Sequence, residues 1–200
     1  MNRKTFLATA GRFAITACAV GGASLLACAS ESDLDTVEAQ NGGGSTGGKD
    51  GFVAKRQLHE YTGVISAPPE RVFPLLCPVR EYEWLDGWRC RVIYSESGVA
   101  EDNCVFETNH KEGPMTWVVS RYEPPRRIEF VTFVPGRLTE RLSIALEAAG
   151  SGTKIRWTRK FTGLSEQGNQ GLSYWQTDWD RALTDKLEYF LANGRMLRNG

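Results

Sequence analysis

Two charged side chains fall in phase with apolar neighbours on segments that read as strands. Glu140 lies between Leu138 and Leu142, and Arg159 lies between Trp157 and Phe161. Two-residue spacing puts each set on one face of a strand. If the turn Gly150-Ser151-Gly152 pairs Ala148 with Thr153, Leu142 faces Arg159 and Glu140 lies one diagonal step away, within reach of long side chains. A two-residue shift would set the two charges directly opposite. An unpaired charge on a dry face is costly, so mutual pairing is the cheapest arrangement. Three readings stay open: an internal salt bridge, an inner-face pair near a strand end that reaches water, or a cavity pair that serves a ligand. In the last, the pair anchors a ligand's polar end, or Glu140 is a general acid/base with a tuned pKa.

Other reactive side chains are sparse. His110 shares parity with Cys104 and Phe106, which makes it an inward candidate near a strand end, and His59 shares a strand with Tyr61 and Ile65. Both read as structural or rim histidines ahead of catalytic bases. No H-E-x-x-H or C-x-x-C occurs, and Cys77, Cys90 and Cys104 are too widely spaced to argue for a metal centre, so no metal and no cofactor are expected. In an oxidising compartment these three cysteines allow at most one disulfide. Cys77 with Cys90 is the preferred pair, and three buried free thiols are the alternative.

The elements that must position these groups follow from periodicity. Gln57 to Ser66 alternates as a strand, and Ala67-Pro68-Pro69-Glu70 starts a helix that Pro74 and Pro78 cut into two short pieces ending near Asp86. Six further strands are expected over 88–96, 103–110, 115–122, 127–134, 138–148 and 153–162, separated by Gly- and Pro-containing turns. Strands in series with short turns make an antiparallel meander, and the alternation in the last two gives one wet and one dry face. The cover is a long helix from Asn169 to Ala192. Leu172, Trp175, Trp179, Leu183, Leu187 and Phe190 fall within about 60° of one line on it, with Asp178, Arg181, Thr184, Asp185 and Glu188 opposite. Gln176 and Lys186 also point into the apolar arc. The stripe is either plain core or partly the wall of a cavity, to which Trp117 and Trp157 would contribute from the sheet.

The chain carries 24 basic and 24 acidic residues. Residues 1–51 hold four basic and five acidic side chains, so the rest is near neutral and has no electrostatic footprint for nucleic acid. Arg3, Lys4 and Arg12 precede an apolar, small-residue run from Phe13 to Ala27, which predicts an export signal over 1–27. Leu25-Leu26-Ala27-Cys28 resembles the lipobox of bacterial lipoproteins, which implies lipidation of Cys28 and a membrane-anchored protein facing the periplasm or cell exterior. Ile15-Thr16-Ala17-Cys18 is a weaker match. Arg3-Lys4-Thr5-Phe6-Leu7 is similar to a twin-arginine signal, with Lys4 where the second arginine belongs. Residues 28–51, including Asn41-Gly-Gly-Gly-Ser-Thr-Gly-Gly48, cannot bury a core and read as a flexible tether. Formal G-x-S-x-G and G-x-G-x-x-G matches there neither follow a strand nor open a helix. The folded domain is expected over 52–200.

Strand, two short helices, six antiparallel strands and one long helix is the order of the START-like, or SRPBCC, superfamily. Ile65-Ser-Ala-Pro-Pro-Glu-Arg-Val-Phe73 resembles its first strand running into its first helix. Trp84-Leu-Asp-Gly-Trp88 sits where the polyketide cyclase/dehydrase-like branch often carries tryptophan. The resemblance covers about residues 57–195 and implies an α+β helix-grip fold, a curved seven-stranded antiparallel sheet gripping the C-terminal helix around an apolar cavity. It implies a hydrophobic ligand, lipid-like or polyketide-like, with Glu140, Arg159, His110, Trp117, Trp157, Trp175, Gln176, Trp179 and Leu183 as cavity candidates. A cyclase or dehydratase using Glu140, Arg159 or His110, and a structural envelope protein with a filled core, are the alternatives.

Overall fold

Alternating burial organises the chain into one sheet. The computed structural model describes residues 51–110, 113–174 and 178–198, with the side chains of His110 and Tyr174 outside that description. The strands are β1 (Arg56–Ile65), β2 (Cys90–Tyr94), β3 (Val105–His110), β4 (Gly113–Glu123), β5 (Arg127–Val134), β6 (Leu138–Ala149) and β7 (Gly152–Gly163). They form a seven-stranded antiparallel sheet in the order β1-β7-β6-β5-β4-β3-β2. The strand that opens the domain therefore pairs with the last one. Register shifts at Val92/Tyr94 and Val119/Arg121 mark the irregular pairings, where local twist increases and the sheet bends.

The β6–β7 register has Ala148 opposite Thr153 and Leu142 opposite Arg159, as the Gly150–Gly152 turn predicts. Gly150 supplies the positive φ of 61° that the turn requires. Inner-face residues of β5, β6 and β7, among them Ile128, Phe130, Leu142, Ile144, Ile155 and Phe161, are buried.

Between β1 and β2 the chain forms α1 (Pro69–Val72) and two 3-10 turns, Phe73–Leu76 and Glu81–Glu83. Pro69 at the start of α1 supplies a preset φ where no N–H is needed. Pro74 then tightens the chain into the first 3-10 turn.

The C-terminal segment differs from its expectation. Instead of one helix over 169–192, there are α2 (Glu166–Gly171), a 3-10 turn Leu172–Tyr174 and α3 (Asp178–Asn193), a helix of 16 residues. Trp175 and Gln176 lie outside the described residues. Ser165 caps α2, accepting from Gly168 N at 3.0 Å. The side chain of Asn169 ties α2 to the start of the domain, accepting from Lys55 N at 2.8 Å and donating to Val53 O at 3.0 Å.

The phase of α3 is a second correction. Its most buried residues are Asp180, Thr184 and Leu187, whereas Trp179 is 52% exposed. Three polar bonds bring the 180/184/188 row to the sheet side. Arg159 Nε donates to Asp180 Oδ1 at 2.7 Å, Trp157 Nε1 to Thr184 Oγ1 at 3.0 Å, and Ser66 N to Glu188 Oε2 at 2.7 Å. Their spacing of four residues is one helical face, so a face that looks solvated in sequence is the docking face.

Gly63 in β1 allows that approach, because a Cβ there would lie 2.9 Å from Thr184 Cγ2. Gly63→Ala is expected to destabilise the domain by about 1–3 kcal/mol, the usual cost of overpacking a stiff neighbour. Urea unfolding of the variant against the parent measures it, and an unchanged midpoint would contradict the close helix–sheet approach.

Candidate functional site

Between sheet and α3 lies a cavity of about 90 Å³ whose walls are mostly aromatic and aliphatic. Five tryptophans line it, Trp84, Trp88, Trp117, Trp157 and Trp179. Four of their indole N–H groups are already bonded within the protein. Trp84 donates to Leu75 O, Trp88 to Pro78 O and Trp117 to Thr108 Oγ1, each at 2.8 Å, and Trp157 donates to Thr184 Oγ1. These bonds lock the rings and satisfy their polar edges, so the cavity meets mainly π-faces and ring edges. Trp117 stacks on Phe106 with centroids 5.5 Å apart, and Phe130 sits edge-on to both. This wall is rigid and apolar.

Polar groups enter from β6, β7 and the second 3-10 turn, and Asp180 on α3 stands behind them. Arg159 on β7 donates through Nη1 to Glu140 Oε1 at 2.6 Å and through Nε to Asp180 Oδ1 at 2.7 Å. Glu140 is 1% exposed, Arg159 8% and Asp180 0%, so the three form a buried ionic cluster joining β6, β7 and α3. Burial pushes the Glu140 carboxyl above its ordinary pKa, with Arg159 opposing and Asp180 reinforcing the rise. Burial works against the charge on Arg159, yet Glu140 and Asp180 hold it above its usual range. The second oxygens, Glu140 Oε2 and Asp180 Oδ2, are buried without a partner, as are Thr132 Oγ1 and His59 Nε2.

Glu81 reaches the cavity from the second 3-10 turn. The turn is held by Arg80, which grips Glu83 through Nε and Nη2 at 2.7 and 2.9 Å. Tyr82 fastens it to β2, its hydroxyl donating to Cys90 O at 2.7 Å and accepting from Cys90 N at 2.8 Å. Desolvation raises the Glu81 carboxyl to about 8, with the nearby positive charge of Arg159 pulling the other way. Glu81 is thus a neutral acid over most of its molecules at pH 7.

Among the sequence candidates, Glu140, Arg159, Trp117, Trp157, Trp179 and Leu183 all line this cavity. Glu140 and Arg159 form the internal salt bridge and line the cavity at once. The His110 backbone closes β3 opposite Gly113, and its side chain lies outside the described residues, like Trp175 and Gln176. His59 faces Arg159 across β1–β7, with its ring 5.8 Å from Phe161, and does not line the cavity. The expected Cys77–Cys90 disulfide is not formed. Cys77, Cys90 and Cys104 are free, Cys77 Sγ accepts from Ala100 N at 3.1 Å, and Cys90 Sγ donates to Pro78 O at 3.5 Å. Among the described residues no group of three or more His, Cys, Asp or Glu could hold a metal.

Two residues of this arrangement escape the sequence reading. Asp180 lies in a row of α3 that looks solvent-facing, and Glu81 lies in a charged stretch with no period. The signal for Asp180 was the donor capacity of an inward arginine, which one carboxylate does not exhaust. Nothing in the sequence around Glu81 marks it.

A second hollow of about 320 Å³ adjoins the first. Leu85, Trp88, Trp179 and Leu183 line both, and Asp86 and Lys186 line only the outer one. Lys186, read in sequence as a polar intruder in the apolar arc, sits at this outer rim.

A seven-stranded sheet gripping a C-terminal helix over an apolar cavity defines a START-like, SRPBCC helix-grip domain. The model of the family described as polyketide cyclase / dehydrase and lipid transport matches residues 57–192, and the chain belongs to that family. None of the curated proteins compared with it matches the chain significantly. Among solved structures, protein MLL2253 from Mesorhizobium loti is similar at 18% identity, covering 68% of this chain and 97% of that one, with TM-score 0.53. DynU16, from the dynemicin biosynthetic locus, is 13% identical over 69% of this chain and 48% of its own, with TM-score 0.52. Norcoclaurine synthase from Thalictrum flavum is 8% identical over 70% and 88%, with TM-score 0.53. At these identities the likeness is one of fold.

Two outcomes follow from the polar groups. Arg159→Met removes the donor from both buried carboxylates and is expected to cost about 3–5 kcal/mol, readable by chemical denaturation. The second concerns pH. The folded protein holds the Glu81 proton to about 8, whereas in the unfolded chain the carboxyl releases it near its ordinary 4.5. Folding therefore binds protons, and stability falls as pH rises between those values, with that contribution gone above the upper one. Glu81→Gln should flatten this part of the Tm–pH curve and melt several degrees higher than the parent at pH 9; coincident curves would contradict the assignment.

Proposed function

We propose that the domain binds a small, largely apolar or aromatic molecule in the cavity between its sheet and α3. The observation that carries this reading is the wall of five tryptophans, four of them with the indole N–H already bonded, which offers flat apolar surface and few competing donors. The inner cavity of about 90 Å³ is smaller than the roughly 300–1,000 Å³ of common ligand pockets. A ligand of ordinary size extends past Leu85, Trp88, Trp179 and Leu183 into the outer hollow, with Lys186 and Asp86 near its far end. Leu183→Trp narrows that passage. It is expected to weaken binding of the neutral fluorescent probe N-phenyl-1-naphthylamine by about tenfold or more, equivalent to about 1.4 kcal/mol. A variant that binds the probe as well as the parent would place the ligand elsewhere.

A second reading, a cyclase- or dehydratase-like enzyme, is favoured by one observation. Glu81 has a pKa near 8 beside Arg159, within the range where a carboxyl can both give and take a proton at working pH. Mass spectrometry of material extracted from purified protein separates the two. A copurified apolar molecule returned unchanged favours binding, and conversion of a carbonyl-bearing polyketide-like compound with loss of water favours catalysis.

The N-terminal reading completes the proposal: export directed by residues 1–27, acylation at Cys28, and a tether that holds the domain at the outer side of a membrane. Cells fed a labelled fatty acid are expected to label the parent protein and not Cys28→Ser. Equal labelling of both would exclude Cys28 as the site.

A further inference from the structure

The cavity contains charged groups, and their count restricts what polar end a ligand can bring. Arg159 carries one positive charge, and its two partners, Glu140 and Asp180, carry up to two negative ones. With both carboxyls ionised the cluster is −1, and with one protonated it is neutral. In neither state is there a net positive charge to receive an anion, although a cavity arginine would ordinarily be its natural anchor.

The unused hydrogen-bonding capacity points the other way. Two of the five guanidinium N–H groups of Arg159 serve Glu140 and Asp180. Nη2 has no partner among the described residues, is not one of the sealed unpartnered atoms, and belongs to a residue that lines the cavity. Glu81 lines the same cavity, and its carboxyl likewise has no hydrogen-bond partner among the described residues. The two groups interact electrostatically without forming an ion pair, since the ion pairs of Arg159 are with Glu140 and Asp180. Around Glu81 stand Arg80, Tyr82 and Glu83 of its own turn, Cys77, whose carbonyl accepts from Glu81 N, Cys90 on β2, and, across the cavity, Glu140 on β6 beside Arg159; Asp86 and Lys186 line only the outer hollow.

We propose that Arg159 Nη2 and the Glu81 carboxyl form a two-donor subsite for an uncharged oxygen acceptor, the carbonyl of a ketone, ester or amide, and that the chamber discriminates against ligands with an anionic head; this presupposes the cavity-binding reading above. A carbonyl oxygen has two lone pairs and accepts from both donors, while the apolar remainder lies against the indole faces. A carboxylate in the same place faces a cluster that is neutral or negative and pushes against Glu81 whenever that group loses its proton. Hydrocarbons fill the space but displace water from both donors and leave them unanswered, which is the costlier outcome for polar groups.

Three matched probes test this on the full-length protein: acetophenone, benzoate and ethylbenzene, titrated at pH 7 by ligand-observed NMR. Acetophenone is expected to bind about tenfold tighter than either of the others. Its advantage over ethylbenzene should shrink as pH rises past about 8, where Glu81 ionises. Glu81→Leu should bring acetophenone down to the ethylbenzene level without changing ethylbenzene itself. Glu81→Gln, which keeps an N–H donor, should preserve the preference and remove its pH dependence. Arg159 is left intact because its loss threatens the fold.

Benzoate binding tightest, equal affinities for acetophenone and ethylbenzene, or a preference that survives Glu81→Leu would each overturn the subsite and leave the cavity-binding reading standing. Failure of all three probes to bind would count against both.

Discussion

The double ion pair of Arg159 is the interaction on which the rest of the structure depends. One guanidinium joins β7, β6 and α3 in a region where Glu140 and Asp180 are almost fully out of water. Taking three charges out of water costs more than a single contact returns, so such a cluster persists only with good geometry and is destroyed by removing one member. Its structural consequence is positional. Asp180 fixes the height of α3 over the sheet, Thr184 and Glu188 follow at one-turn intervals on Trp157 and Ser66, and Gly63 leaves the space they need. The helix is thus docked along a polar row, and its apolar side is left to face the cavity.

That division of labour explains why a cavity exists at all. If α3 pressed its apolar row into the sheet, Leu183 and Trp179 would fill the hollow that they now border. The wall tryptophans cannot relax inward to close it, because Trp84, Trp88, Trp117 and Trp157 are each tethered by an indole hydrogen bond to backbone or hydroxyl oxygen. Close packing is the default for protein interiors. Here, rings held by their polar edges maintain a space against it.

How much of this was legible in the sequence depends on whether a feature is periodic. Strand alternation and Gly- and Pro-marked turns gave all seven strands to within a few residues. The Gly150–Gly152 turn alone set the register that puts Glu140 diagonal to Arg159. The helix phase was legible only in part: the apolar stripe gave Leu187, which is fully buried, but docking also follows Asp180, Thr184 and Glu188, whose partners Arg159, Trp157 and Ser66 lie far away in sequence. The Cys77–Cys90 pairing failed for a related reason. Proximity in the chain order says nothing about where two sulfur atoms point, and backbone groups of Ala100 and Pro78 take their hydrogen bonds instead.

Glu81 shows the limit most clearly, and its position has a physical logic. The charges on the sheet and on α3 are committed to one another and hold the scaffold. On the proposed reading, the carboxyl that meets a ligand stands instead on a short, separately braced element. The turn Glu81–Glu83 is such an element, fixed by Arg80–Glu83 and by Tyr82 on Cys90 rather than by the ionic cluster. Local braces hold the carboxyl at the cavity while leaving its own oxygens unspent. Such a group follows no strand or helix period, which is why it is read from the folded arrangement and not from the chain.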